Sequence, residues 1–294
     1  MKTAKPATFL FALLACVLGV VVLSPVTSAQ NNKDKSVPPG PLLTRTTTRH
    51  ENRRFAFGGT VTIVGAPAGS ISIQGWDRNE VDVVADIELH AFTAEDLAKV
   101  AVVNNFVFDE DTNHIRIMTT GAHDRSLMKR LGKNFPKGLS GLPWKIDYRI
   151  KVPSLTDLEI NGGVGAIKLA GVEGALHLNA LESDAALWLT GGDAIVTVQK
   201  GAVYLGVPAR GWHGLGLDLK LAVGNLAVEL PVDFSADINA SVLRLGKVEV
   251  AYPNLEPRER NSTGPNSVRA RAGSGGATLS FTVGDGTISI KQMQ

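Results

Sequence analysis

From Gly69 to Leu89 the chain reads GSISIQGWDRNEVDVVADIEL, with apolar residues on every second position: Ile71 and Ile73, then Val81, Val83, Ala85, Ile87 and Leu89. Side chains alternate between the two faces of a strand, so this period of two predicts two half-buried strands joined by a turn at residues 75–79. FAFGGTVTIVG, from Phe55, predicts another strand just before them. Glu80, Asp82, Asp86 and Glu88 fall on the face opposite the apolar row, where alternation alone accounts for a solvated acidic row.

The same small unit returns in series after KIDYRIKVP. Apolar pairs at i and i+2 occur at Leu158/Ile160, Ile167/Leu169, Leu176/Leu178, Leu187/Leu189, Val196/Val198, Val203/Leu205, Leu217/Leu219 and Val228/Leu230. Gly, Asp or Asn separates most of them, among them Gly165, Gly192, Gly201 and Gly224. Leu158, Leu176, Val196 and Leu217 mark an irregular repeat near 20 residues, the spacing of stacked coils that each carry two or more short strands. One two-faced short strand cannot bury its apolar side alone, whereas stacked coils share a continuous aliphatic column. The expected fold is therefore all-β: a parallel β-helix or β-solenoid-like stack of short strands spanning residues 55–294.

Three segments break the rhythm. TAEDLAKVAVVNNF predicts one short helix near residues 93–104, with Thr93 as N-cap and Glu95 and Asp96 in the first turn, where carboxylates suit the positive end of the helix. FVFDEDTNHIRIM then predicts a hairpin turning at Asp109–Asn113; the turn lacks the glycine and the later glutamate of a calcium loop. Residues 119–143 interleave Arg125, Lys129, Arg130, Lys133 and Lys137 with Leu127, Met128, Leu131 and Phe135. This insertion is either a loop capping one end of the β structure or a short basic amphipathic helix that touches a membrane or partner. Its shortness favours the loop. A second insertion, residues 254–276, is polar and is expected to be a loop.

The units GSISIQGWDRNEVDVVADIEL, IDYRIKVPSLTDLEINGGVGAIKLAGVEGALHL and the closing GDGTISI resemble the bacterial putative-adhesin domain family of unknown function, from about Phe55 to the C-terminus. The resemblance implies a parallel β-helix-like fold and a surface role. It carries no established binding residues, so none is transferred.

Ahead of the repeat, Lys2 and Lys5 precede an apolar run from Phe9 to Leu23, and Thr27-Ser28-Ala29 offers small residues before Gln30. This is the pattern of a secretory signal peptide over residues 1–29, cleaved between Ala29 and Gln30. The alternative is an inner-membrane anchor through residues 9–23, although that run is short of the roughly 20 residues of a spanning helix. Residues 30–54, with NNKDKSVPPGP, are expected to be a flexible linker. The expected location is extracytoplasmic: periplasm, outer surface or medium.

Composition narrows the chemistry. Cys16 is the only cysteine in the 294 residues, so a cleaved chain has no disulfide framework, thiol nucleophile or thiolate metal site. Without Lys2 and Lys5 the 30 basic residues become 28, equal to the 28 acidic ones, so no overall field draws the chain to nucleic acid. The six histidines show no tight metal-ligand spacing, and no phosphate-cradling or nucleophile-elbow motif is present. No catalytic residue, metal ligand or cofactor is assigned. The candidate surface contacts are Trp188, which alternation points outward, Trp212, Lys129 and Arg130; packing under a neighbouring loop is the commoner role for such tryptophans. The functional expectation is an exported non-enzymatic envelope or surface module, with a surface glycan or protein as partner. The competing expectation is a polysaccharide-active enzyme on the same scaffold, marked by Asp, Glu or Arg side chains converging in one groove.

Overall fold

The structure is a computed structural model that describes residues 40–293 apart from 57, 133, 134, 254 and 259–262. The signal segment, its Ala29–Gln30 junction, Cys16 and the first part of the linker lie outside the described residues. Among the described residues no helix is long and apolar enough to cross a membrane.

Among the described residues the chain is all-β with two short α-helices. It opens with β1 (Leu43–Arg54), β2 (Thr60–Val64), β3 (Ile71–Trp76) and β4 (Glu80–Ala91), then α1 (Ala94–Val103). There follow β5 (Asn105–Asp111), β6 (His114–Thr120), α2 (Arg125–Leu131) and β7 (Trp144–Pro153). The repeat region supplies β8 (Asp157–Val164), β9 (Ile167–Ala170), β10 (Leu176–Glu182), β11 (Ala185–Trp188), β12 (Gly191–Gly206), β13 (His213–Leu230) and β14 (Ala236–Ala251). It closes with β15 (Leu255–Pro257), β16 (Thr263–Gly264), β17 (Ser267–Ala272) and β18 (Thr278–Gln292).

Two parallel ladders form the centre. The first runs β6–β2–β8–β10–β12–β13–β18–β14 and aligns Ile117, Ile63, Ile160, Leu178, Val196, Leu219, Phe281 and Ala240, all buried. The second uses β7, β3, β9 and β11, then the later halves of β12, β13, β18 and β14. It aligns Ile150, Ile73, Leu169, Leu187, Leu205, Val228 and Ile290 in the same core. Every apolar i, i+2 pair of the repeat is buried. Burying one such Leu, Ile or Val removes roughly 1.5–3 kcal/mol of unfavourable hydration, so the two columns dominate the favourable side of folding.

Several expectations need correction. The sheet is mixed, not purely parallel: β4 pairs antiparallel with β7, β1 with β4, β5 with β6, and β17 with β14. The later strands are also long, 16 residues in β12 and 18 in β13, because one continuous strand serves both ladders. The repeat register differs too. Leu176 pairs with Ala194, not Val196, so the steps Leu158–Leu176–Ala194–Leu217 are 18, 18 and 23 residues.

Residues 43–54 of the expected linker form β1. Its alternate side chains serve the acidic row of β4: the Thr48 hydroxyl donates to Asp86 at 2.7 Å, and Arg149 of β7 donates to the same carboxylate at 2.7 Å. The polar 254–276 insertion likewise contains β17, which aligns Val268, Ala270 and Ala272 with the buried side of β14.

α1 is capped as expected, with the Thr93 hydroxyl accepting from the Asp96 N–H at 3.0 Å, and it buries Leu97, Val100 and Val103. The 119–143 insertion holds the helix α2 in place of the loop that its shortness favours. The Asp124 carboxylate accepts from the N–H groups of Ser126 and Leu127, and this capping holds its carboxyl below the usual range. Leu127, Met128 and Leu131 pack against the core, so the apolar side of α2 is already covered by its own protein.

Candidate functional site

The four residues expected at the surface part company in the structure. Trp212 is only 7% exposed, and its indole N–H donates to the Gly192 carbonyl at 3.0 Å, so it is a packing residue. Lys129 and Arg130 are exposed in the last turn of α2, where positive charge suits the carbonyl end of a helix. Neither forms an ion pair among the described residues.

Trp188 does face outward and is 40% exposed. In the ladder it stands between Ala170 of β9 and Gly206 of β12. A Cβ on Gly206 would stand 2.6 Å from the indole atoms Cε3 and Cζ3, so the ring lies down over glycine backbone. Tyr204 flanks it, ring centroids 5.1 Å apart and planes tilted 54°. The Tyr204 hydroxyl donates to Glu229 Oε2 at 2.8 Å. Desolvation, reinforced by the Glu229 carboxylate, pushes the phenol pKa up to about 12. Ala186 and Ala227, the ladder neighbours of Tyr204, keep the surroundings low. The result is a two-ring aromatic shelf fixed on a sheet face. Strand alternation foretold the direction of Trp188. The parts played by Tyr204, Gly206 and Glu229 depend on pairing between distant strands and have no local signal.

A second feature lies on the outer face of the other ladder, where β14, β15, β17 and β18 enclose a cleft of about 890 Å³. Arg258, Arg269 and Arg271 line it, and Asp237 is held by two of them, 3.6 Å from Arg258 Nη1 and 3.3 Å from Arg271 Nε. In the register Glu256 of β15 and Asp237 of β14 both stand opposite Arg271 of β17, so the two residues share one row of the sheet about two strand spacings, roughly 10 Å, apart. The segment SVRARA carried a usable signal, since its period-two alternation of Arg with Val and Ala is that of a strand.

One hydroxyl–histidine pair calls for a chemical reading. Arg116 Nη2 lies 3.1 Å from His114 Nδ1, and an arginine can only donate, so Nδ1 accepts and Nε2 carries the proton. His114 Nε2 then donates to the Thr62 hydroxyl at 2.7 Å, and that hydroxyl donates to Glu159 at 2.8 Å. The direction runs Arg–His–Thr–Glu. A nucleophile triad needs the reverse, with the histidine free to take the hydroxyl proton, so this chain of bonds ties β6, β2 and β8 together. Among the described residues, no group of three or more His, Cys, Asp or Glu side chains is placed to hold a metal ion.

No family model and no curated protein matches the sequence. Among solved structures, a putative cell adhesion protein from Clostridium sporogenes ATCC 15579 aligns at a TM-score of 0.43 and 13% identity, covering 84% of this chain and 100% of that one. A putative adhesin from Bacteroides fragilis NCTC 9343 aligns at 0.35 and 13%, covering 87% and 99%. A putative lipid binding protein from Parabacteroides distasonis ATCC 8503 aligns at 0.24 and 11%, covering 84% and 97%. At these scores the likeness carries no argument about what this chain binds.

Proposed function

We propose that the chain is an exported, non-enzymatic binding module of the cell envelope or surface, built on a solenoid-like core, and that the Trp188–Tyr204 shelf engages a glycan. The carrying observation is the indole lying over Gly206 with Tyr204 beside it. An aromatic face of this kind offers the apolar face of a sugar ring a flat partner at little entropic cost. The fixed Glu229–Tyr204 hydrogen bond holds the second ring in place. Export rests on the charged start, the short apolar run and the small residues before Gln30.

Tryptophan fluorescence titration with a panel of neutral envelope glycans tests the shelf. A saturable change is expected in the wild type and is expected to vanish in Trp188→Ala, with no product formed on prolonged incubation. Saturation unaltered in the variant removes the shelf from the proposal. Fractionation with N-terminal sequencing tests export: the expected chain starts at Gln30 outside the cytoplasm, and an intact Met1 in membranes means an anchor.

A second reading, a polysaccharide-active enzyme, is favoured by Glu256 in the lining of the arginine cleft and Asp237 two strands away in the same row. Two carboxylates across a groove are the minimum for acid–base cleavage of a glycosidic bond. Against it, Asp237 is already engaged by two arginines. Reducing-end release that disappears in Glu256→Gln would establish this reading over the first.

A further inference from the structure

The floor of the cleft beside β17 is made of small polar side chains in register. Ser280, Asn239 and Arg269 form one row across β18, β14 and β17; Thr282, Ser241 and Ser267 form the next. Neighbouring strands are about 4.8 Å apart and successive outward residues about 7 Å apart, so the floor is a regular grid of hydroxyl and amide groups that both donate and accept. Phe281 touches the cleft while its side chain lies in the core, so no aromatic face is offered there.

Charge is concentrated on one side. Arg258 and Arg271 share Asp237, and a Cβ on Gly275 would stand 2.9 Å from Arg271 Nε, so the glycine leaves room for that guanidinium to lie against Asp237. Arg269 meets no carboxylate among the described residues, and its guanidinium fork matches a planar or tetrahedral oxyanion. A bare anion would occupy little of a space of about 890 Å³ and would leave the hydroxyl grid unused.

We propose that this cleft binds an acidic saccharide, with its oxyanion on Arg269 and its ring hydroxyls on the Ser, Thr and Asn floor. The site is separate from the aromatic shelf and its ligand is of a different class, so the two proposals stand or fall independently.

The test is calorimetry on the full mature chain with a uronic-acid oligosaccharide and its carboxyl-reduced neutral counterpart, for wild type, Arg269→Gln, Arg269→Lys and Trp188→Ala. Arg269 is exposed, so its variants are expected to fold, and circular dichroism of each variant checks this. The wild type is expected to bind the acidic form at least about tenfold more tightly than the neutral one. Arg269→Gln is expected to lose about tenfold, the worth of a charge-assisted pair, and Arg269→Lys to lose less. Trp188→Ala is expected to match wild type, and affinity is expected to fall as salt rises. Equal binding of the neutral form by Trp188→Ala, which lacks the shelf, no binding of the acidic form by the wild type, or an unaffected Arg269→Gln overturns the proposal. Inorganic phosphate binding as tightly as the oligosaccharide also overturns it, since the anion alone would then be the ligand. Loss of acidic-sugar binding in Trp188→Ala assigns that binding to the shelf and equally overturns the cleft.

Discussion

Gly224 and Gly286 sit on adjacent strands at the same corner of the stack, and a Cβ on Gly286 would stand 1.7 Å from the carbonyl oxygen of Gly224. The relationship repeats: a Cβ on Gly224 would meet the Gly201 carbonyl at 1.7 Å, and one on Gly246 would meet that of Gly286 at 1.8 Å. Gly201 faces Ser183, whose buried hydroxyl has no hydrogen-bond partner among the described residues. At this corner each long strand passes from one ladder to the other, and backbone touches backbone between neighbouring strands. Gly286 also holds φ at 145°, which side chains disfavour.

Gly286→Ala is therefore expected to destabilise the fold by more than about 3 kcal/mol, combining backbone strain with a contact that cannot relax without moving the neighbouring strand. Gly58→Ala is the matched control. Gly58 also has positive φ, at 76°, but nothing lies within 4 Å of the place a Cβ would take, so only the conformational penalty of about 1–2 kcal/mol applies. Urea denaturation of both variants measures the difference. Equal losses would mean that the corner contact contributes nothing.

Leu176→Asp is expected to lower the melting temperature sharply or abolish folding, because an unpaired carboxylate would enter the column between Leu158 and Ala194 at a cost of several kcal/mol. Asn179→Asp, three residues on and on the exposed face of the same strand, is expected to change stability by less than about 0.5 kcal/mol. Circular dichroism melts of the pair check that the faces are assigned correctly.

Tyr204 is expected to ionise near pH 12 in the folded chain, against about 10 for an unperturbed phenol. Desolvation and Glu229 both favour the neutral form, so the stability linked to this group is fully present below about pH 10 and is lost as pH rises through about 12. Glu229→Gln removes the carboxylate contribution and leaves desolvation, so the midpoint is expected to fall part of the way towards 10. Ultraviolet phenolate titration of the two proteins gives the comparison. An unchanged midpoint would place Glu229 away from the ring.

Asp86 is held below the ordinary carboxylate range by the hydrogen bond from Thr48 first, and then by Arg149. Its linked stability is present above the unfolded pKa near 3.9 and disappears as pH falls through the lower folded value. Thr48→Ala is expected to raise the Asp86 pKa and move the acid-unfolding limb to higher pH. Carboxyl-carbon NMR titration checks the assignment, and also whether β1 is docked on β4 in solution.

The alternation of apolar and polar residues determined which side of each strand is buried, from Ile71 to Leu230, because strand geometry leaves only two faces and water selects between them. It also located α1, through a cap that acts within three residues, and directed Trp188 outward. Properties local to a strand or a turn were legible in this way. The order of the strands was not. β2 lies between β6 and β8, and β18 lies between β13 and β14, so the first and last strands insert among later and earlier ones. An aliphatic face fits many others of the same period, and the choice among them depends on the whole set of strands packing at once. β1 is not legible in the pattern because its strand is stabilised by the acidic row of β4, not by apolar burial of its own. Neither the aromatic shelf nor the arginine cleft exists within any single strand. Each is assembled from residues on neighbouring strands, brought together by a register that only the folded sheet fixes.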